Sequence, residues 1–292
     1  MIDNRLERVG EKFITLEGYP GEIIGVGTRH GKVVVCIYGT SEFKREVSIS
    51  EMTSVRHPDH PTVYGVGYLG RATQFSNTKL ENSTKGNPHY IKWFSMMRRC
   101  YSEAKGFIDK PAYDGATVDP VWHNYTVFEK WSKAHEITAV RVDLDKDLLN
   151  PGGKVYSPVT CVYIPQWLNV AIANTRSNNA EEWAGVNKKG DKATRIKKYN
   201  ARIQVQGKRI DLGLFEFADD CGMTYQYALG RRLLYAIDEL RSLEKEHNIK
   251  FDPRIYPAVE AKAMEALEYY NNGDIEISEK LKNKLDDAFG TF

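Results

Sequence analysis

Three carboxylates alternate along the run VDLDKD, at Asp143, Asp145 and Asp147, before the chain breaks at Asn150-Pro151-Gly152-Gly153. A β-rich run follows, Val155-Tyr156 and then Val159 to Ile164, and Pro165 stands where the first turn of a helix carrying Asn169 is expected. A carboxylate pair at one end and a helical amide at the other could frame one divalent cation, since Mg²⁺ and its like take oxygen ligands. The same order of strand, long turn, strand and helix also describes a small structural ββα unit without chemistry, and both readings stand. Ahead of it lies His123, beside Trp122. That histidine could serve as a base or a ligand, or simply as a packing or capping side chain.

A second group of residues suggests contact with a polyanion. Lys188, Lys189, Lys192, Arg195, Lys197, Lys198, Arg202, Lys208 and Arg209 stand against one acid, Asp191. Two alternating runs, Tyr199 to Gln206 and Arg209 to Phe215, are predicted strands joined by a tight turn at Gln206-Gly207, after a first strand over 183–187. Strand alternation puts Arg202 and Gln204 on one face and Ala201, Ile203 and Val205 on the other. A basic sheet face free of helices can enter a major groove, arginine reading guanine edges and lysine meeting phosphate. The alternative is a solvated hairpin, but the one-sided density of cations points to double-stranded DNA.

The elements that must position these groups are read from periodicity. Tyr90, Trp93, Met97 and Tyr101 fall at helical spacing, and a second helix runs from Tyr125 to His135 with Phe128 and Trp131 on its stripe. His135 then lies as a favourable cation at that helix's C-terminus. Asp219 or Asp220 is expected to cap a helix reaching Leu243, with Tyr225, Leu229, Leu233, Ala236 and Leu240 inward. Residues 258–271 and 276–289 read as two further amphipathic helices, suited to packing, self-association or a protein partner. Short apolar runs broken by glycine over residues 13–70 predict a small antiparallel SH3-like barrel. His57 and His60, flanked by prolines, read as a turn rather than as metal ligands.

Composition bounds the rest. With 292 residues, 41% hydrophobic and 27% charged, more than one core is expected. A net charge of +2 says nothing about nucleic acid by itself, so local charge decides. Four cysteines stand singly, at Cys36, Cys100, Cys161 and Cys221, and form neither a zinc knuckle nor a disulfide framework. The first twelve residues are charged and no apolar run approaches membrane length, so a cytoplasmic protein with no membrane partner is expected.

Two family resemblances follow from these residues. Residues 183–240 resemble the APETALA/ethylene-response-factor type of DNA-binding domain through Gly185-Val186, Tyr199-Asn200-Ala201-Arg202-Ile203, Gly207-Lys208, Leu212-Gly213-Leu214-Phe215 and Tyr227-Ala228. That resemblance implies a three-stranded sheet on one helix, with DNA read through the sheet by Arg195, Arg202 and Arg209. Residues 90–179 resemble HNH-related proteins, often phage-encoded, through Tyr90, Trp93, Met97, Arg99, Cys100, Tyr101 and the run LDKDLLNPGGKVYSPVTC. It implies a metal ligand at Asp145, a general base at the position immediately after it, and a second metal ligand at Asn169. The position after Asp145 holds Lys146 in place of histidine. A lysine is protonated at neutral pH and cannot accept a proton, so catalysis is either lost or carried by another group such as His123.

The sequence thus predicts a multidomain α+β protein: a β-barrel over 1–72, an HNH-like ββα domain over 88–180, a DNA-binding domain over 183–245, and C-terminal helices over 250–292. The expected function is sequence-recognising DNA binding, with metal-dependent nicking (Mg²⁺ or another divalent ion at Asp145 and Asn169, His123 and Lys146 at the reacting centre) as one form. A catalytically inactive regulator or counter-defence protein is the other, and a protein inhibitor acting through the C-terminal helices is a third. The DNA contacts expected are Lys188, Lys189, Arg195, Lys197, Lys198, Arg202, Gln204, Lys208 and Arg209. The compartment expected is the cytoplasm, that of the host if the chain is phage-encoded.

Overall fold

The structure, a computed structural model, describes residues 4–71, 86–104, 113–173, 183, 185–188, 199–205, 207–273 and 275–290. They form a mixed α+β protein with several sheets, divided into two units: Met1–Ala134 with Lys154–Ser157, and His135–Gly153 with Pro158–Phe292. Among the described residues no helix is long and apolar enough to cross a membrane.

In the first unit, β1 (Lys12–Ile14), β2 (Pro20–Val26), β3 (Lys32–Tyr38) and β4 (Glu42–Ser48) form an antiparallel meander in chain order. Alternation along β3 buries Val33, Val35 and Ile37 against Ile23, Val47 and Val55. The sheet is open, and the closed barrel expected over residues 13–70 does not form. The three residues of β1 pair with β2 alone, too short an edge to curl back onto β4. The His57–His60 stretch forms the expected turn, closed by the His60 N–H donating to the His57 carbonyl at 3.1 Å, and it packs against this sheet. His57 is buried and stacked on Tyr19 at 4.9 Å, and its Nε2 donates to the Ser41 carbonyl at 2.9 Å. Its Nδ1 then accepts from the Asp59 N–H at 3.1 Å, which fixes the tautomer.

The first unit also holds α1 (Pro88–Tyr101) and α2 (Tyr125–Ala134). The Asn87 side chain caps α1, accepting from the His89 and Tyr90 N–H groups, with Pro88 at the position where a missing N–H costs nothing. Trp93, Met97, Tyr125 and Phe128 are fully buried, and the Trp93 indole donates to the Trp122 carbonyl at 2.7 Å. Two short strands, β5 (Thr117–Val118) and β7 (Val155–Tyr156), pair in parallel here. Val155 and Tyr156 therefore leave the ββα unit in which the sequence placed them.

The second unit opens with β6 (Val142–Asp145) antiparallel to β8 (Val162–Pro165), followed at once by α3 (Gln166–Ala173). Pro165 is the last rung of β8, opposite Val142, and not the first residue of the helix. Next come β9 (Val186–Lys188), β10 (Tyr199–Val205), β11 (Lys208–Phe215) and the thirty-residue α4 (Ala218–His247). The N-cap of α4 is Phe217 rather than an aspartate; Asp219 and Asp220 lie in its first turn, where the helix dipole favours them. Tyr225, Leu229, Leu233, Ala236 and Leu240 are buried as the spacing predicts. They share one core with β10, β11, α5 (Ile255–Asn271) and α6 (Glu279–Phe289), so the apolar stripes of the two C-terminal helices are spent within this unit.

Candidate nucleic-acid interface and the ββα unit

The sheet of the second unit has the order β11-β10-β9, all antiparallel. Val205 pairs with Lys208, so the connection is two residues long, and Gly207 takes the positive φ of 78° that such a turn requires. Along β10, Ala201, Ile203 and Val205 are buried while Arg202 and Gln204 are exposed, as alternation demands. The buried side belongs to the core shared with α4. The outer side is therefore free of that helix.

Register decides which cations share the outer side. Arg202 stands opposite Asp211, and Gln204 opposite Arg209. These four residues form an exposed two-by-two patch, with the Arg202 Nε 3.4 Å from an Asp211 carboxylate oxygen. The Asp211 backbone carbonyl also accepts from Lys284 Nζ at 2.8 Å. Lys188 pairs with Tyr199 and Lys208 with Val205, positions of the opposite parity. Both are exposed, but alternation sets them toward the edge and the helix side rather than beside Arg202. Lys189, Arg195, Lys197 and Lys198 lie outside the described residues. A shift in register between Ala201 and Arg202 marks a bulge in the ladder, with Gly213 at a φ of 122°. Beyond the bulge, Leu214 is an exposed apolar side chain opposite Asn200. The sequence reading missed Asp211, although its spacing two residues after Arg209 signals the shared face.

The ββα unit is held by its own loop. Asp145 Oδ1 accepts from the Asp147 N–H at 3.0 Å and from the Leu148 N–H at 2.6 Å, and the side chain is buried. This is the local capping geometry that aspartate makes wherever a strand runs into a turn. Burial pushes the Asp145 carboxyl above the ordinary aspartate range, with the Leu148 bond pulling the other way. Lys146 folds into the loop that follows: its Nζ donates to Asp147 Oδ1 at 2.6 Å and to the Gly153 carbonyl at 2.8 Å, and only 4% of the side chain is exposed. Leu148 plugs the turn and is almost fully buried. Asn169 donates from Nδ2 to Asp143 Oδ2 at 3.2 Å, so α3 is tied to the start of β6 and the bond does not go to Asp145.

The polar groups of this unit are engaged within the protein. Asp145 spends one oxygen on two backbone N–H groups, the next residue sets a buried ammonium in the loop, and the Asn169 Nδ2 donates to Asp143. Among the described residues no group of three or more His, Cys, Asp or Glu side chains could hold a metal ion. His123 belongs to the first unit, where its Nε2 is 3.0 Å from the Val118 carbonyl and 3.5 Å from the Tyr101 hydroxyl. The Tyr101 hydroxyl in turn accepts from the Val118 N–H at 2.9 Å, so the imidazole is one of the groups satisfying the polar atoms around β5.

Comparison with models of known protein families, with curated proteins and with solved structures found no match to this chain.

Proposed function

We propose that this chain binds double-stranded DNA through the outer face of β9, β10 and β11, and that its ββα unit is a structural element rather than a nuclease centre. The observation that carries the reading is the register that puts Arg202, Gln204 and Arg209 together on the side away from the buried core. A slightly twisted antiparallel sheet can lie in a major groove, where two arginines can each reach a guanine edge or a phosphate, and the glutamine amide suits adenine. The connection between β9 and β10 adds Lys189, Lys192, Arg195, Lys197 and Lys198 against the single Asp191, charge that favours a polyanion over a neutral partner. The loop geometry of Asp145 and Lys146 supports a protein that acts by occupying DNA, as a regulator or counter-defence factor does, rather than by cutting it.

The experiment is a salt titration of duplex binding with the wild type and with Arg202→Ala combined with Arg209→Ala. The double variant is expected to lose at least about tenfold in affinity and to flatten the log–log salt slope by roughly two, one counterion per lost contact. An unchanged slope would remove the sheet as the binding surface. In parallel, supercoiled DNA is incubated with the wild type, Asp145→Ala and His123→Ala in Mg²⁺ or Mn²⁺. The expected result is a retained gel shift with no nicking; nicking by the wild type that Asp145→Ala abolishes would restore the nuclease reading.

A further inference from the structure

A pocket of about 200 Å³ in the second unit lies between α3, the hairpin end of β10 and α4. Its apolar walls include Trp167, Val170, Ile203 and Leu229, and its polar groups include Gln166, Gln204 and Arg232. Arg232 is the unusual member. Its side chain is only 3% exposed, its Cζ sits 4.9 Å from the centre of the Trp167 ring, and its Nη1 lies 2.6 Å from Glu239 Oε2. The Glu239 carboxylate takes up Nη1, and the buried Nε has no hydrogen-bond acceptor. Leaving a buried guanidinium donor unfilled costs free energy, and a pocket beside it is where an acceptor can enter.

We infer that this pocket binds a neutral, planar nitrogen heterocycle of the nucleobase type. Neutrality follows from Glu239, which already balances the Arg232 charge: a ligand carboxylate would leave two anions against one cation in a poorly solvated site. A ring carbonyl supplies the acceptor that the guanidinium lacks. Two side-chain amides, each able to donate and to accept, match an edge on which C=O and N–H alternate. The Trp167 indole and the guanidinium over it favour a flat π-system. The size fits, since a cavity of about 150 Å³ holds benzene. Such a ring could come from a free nucleoside or from a base unstacked out of a nucleic acid, and the site does not rest on the DNA reading above, although Gln204 borders both.

The test titrates the full chain with guanosine and uridine by calorimetry. A second arm uses a duplex carrying one unpaired pyrrolo-cytosine, which keeps a ring carbonyl and reports stacking by fluorescence. Val170→Trp closes the pocket mouth from an exposed helical position, so it spares the core. Binding of at least one nucleoside, weakened tenfold or more by Val170→Trp and by Arg232→Met, is the expected result for a free ligand. A fluorescence change of the unpaired base that Val170→Trp removes, without nucleoside binding, assigns the site to an everted base. No response in either arm, or a response that Val170→Trp leaves intact, overturns the inference. Because nucleoside binding needs neither Arg202 nor Arg209, its outcome is separable from failure of the sheet to bind DNA.

Discussion

Arg202 and Asp211 oppose each other across β10 and β11, with the Arg202 Nε 3.4 Å from the Asp211 carboxylate, so one of the two outer-face arginines carries its own counter-ion. Both side chains are about half exposed, and an exposed pair of this kind contributes only about 0–1 kcal/mol. Arg202 can therefore exchange Asp211 for a phosphate at little cost. The carboxylate that remains would still repel the DNA. Asp211→Asn is expected to tighten duplex binding several-fold and to steepen its salt slope, measured by fluorescence anisotropy over a salt series. Weaker binding in that variant would mean that the Arg202–Asp211 pair positions the arginine rather than masking it.

Asp145 separates the structural reading of the ββα unit from a metal-dependent one. Asparagine keeps the oxygen that accepts from Asp147 and Leu148 and removes the buried charge, whereas alanine removes the acceptor as well. Asp145→Ala is expected to cost about 1–2 kcal/mol, like the loss of a cap. Asp145→Asn is expected to be neutral or stabilising at neutral pH. The sign follows from linkage. A carboxyl raised by burial favours the folded state while it is protonated, and that contribution is lost as pH rises through its native value. Relative to Asp145→Asn, the wild type should therefore lose stability from the ordinary aspartate range upward, read as the difference in Tm across an acid-to-neutral series. A large loss of stability in Asp145→Asn at neutral pH would show that the negative charge itself is needed.

Gly230 of α4 faces Ala263 and Leu267 of α5. A Cβ built there comes within 2.5 Å of Leu267 Cγ and 3.0 Å of the Ala263 carbonyl oxygen. In an exposed helix, glycine to alanine stabilises by about 1 kcal/mol. Here the clash opposes that gain, because the backbone carbonyl of α5 cannot rotate away and overpacking costs about 1–3 kcal/mol. Gly230→Ala is expected to lower stability in denaturant unfolding, and a raised midpoint would mean that the two helices separate easily.

Arg231 fastens α6 to α4. Its Nη2 donates to Asp286 at 2.7 Å and to the Gly290 carbonyl at 2.8 Å, and its side chain is 8% exposed. Removing the carboxylate takes the charged partner from a largely buried guanidinium that keeps its bond to the Gly290 carbonyl, at a cost on the order of 1–3 kcal/mol. Asp286→Ala should show that loss in chemical denaturation, with faster amide exchange along α6. An unchanged exchange pattern would mean that Leu285 and Phe289, both buried, hold the helix without the ion pair.

Much of the architecture was legible because periodicity is a property of contiguous chain. The helical spacing of Tyr90, Trp93 and Met97 located α1, and the alternation from Ala201 to Val205 located β10 and its exposed Arg202 and Gln204. Of the predicted Gln206-Gly207 turn, Gly207 takes a positive φ next to the Val205–Lys208 pair, and Gln206 lies outside the described residues. The barrel expected at the N-terminus was not legible, since local strand signals do not report whether a three-residue strand such as β1 can close a sheet.

The sequence by itself determined which residues form strands and helices and which faces they bury, because side-chain period and turn chemistry act over a few residues. Only the tertiary structure decided the partners. It paired Val155 and Tyr156 with β5, gave Asn169 to Asp143, and set Arg232 between Trp167 and Glu239. The physical reason is that a polar atom takes whichever complementary atom the packed chain brings within about 3 Å. Atoms twenty-six residues apart, as Asp143 and Asn169 are, carry no local signal of that meeting.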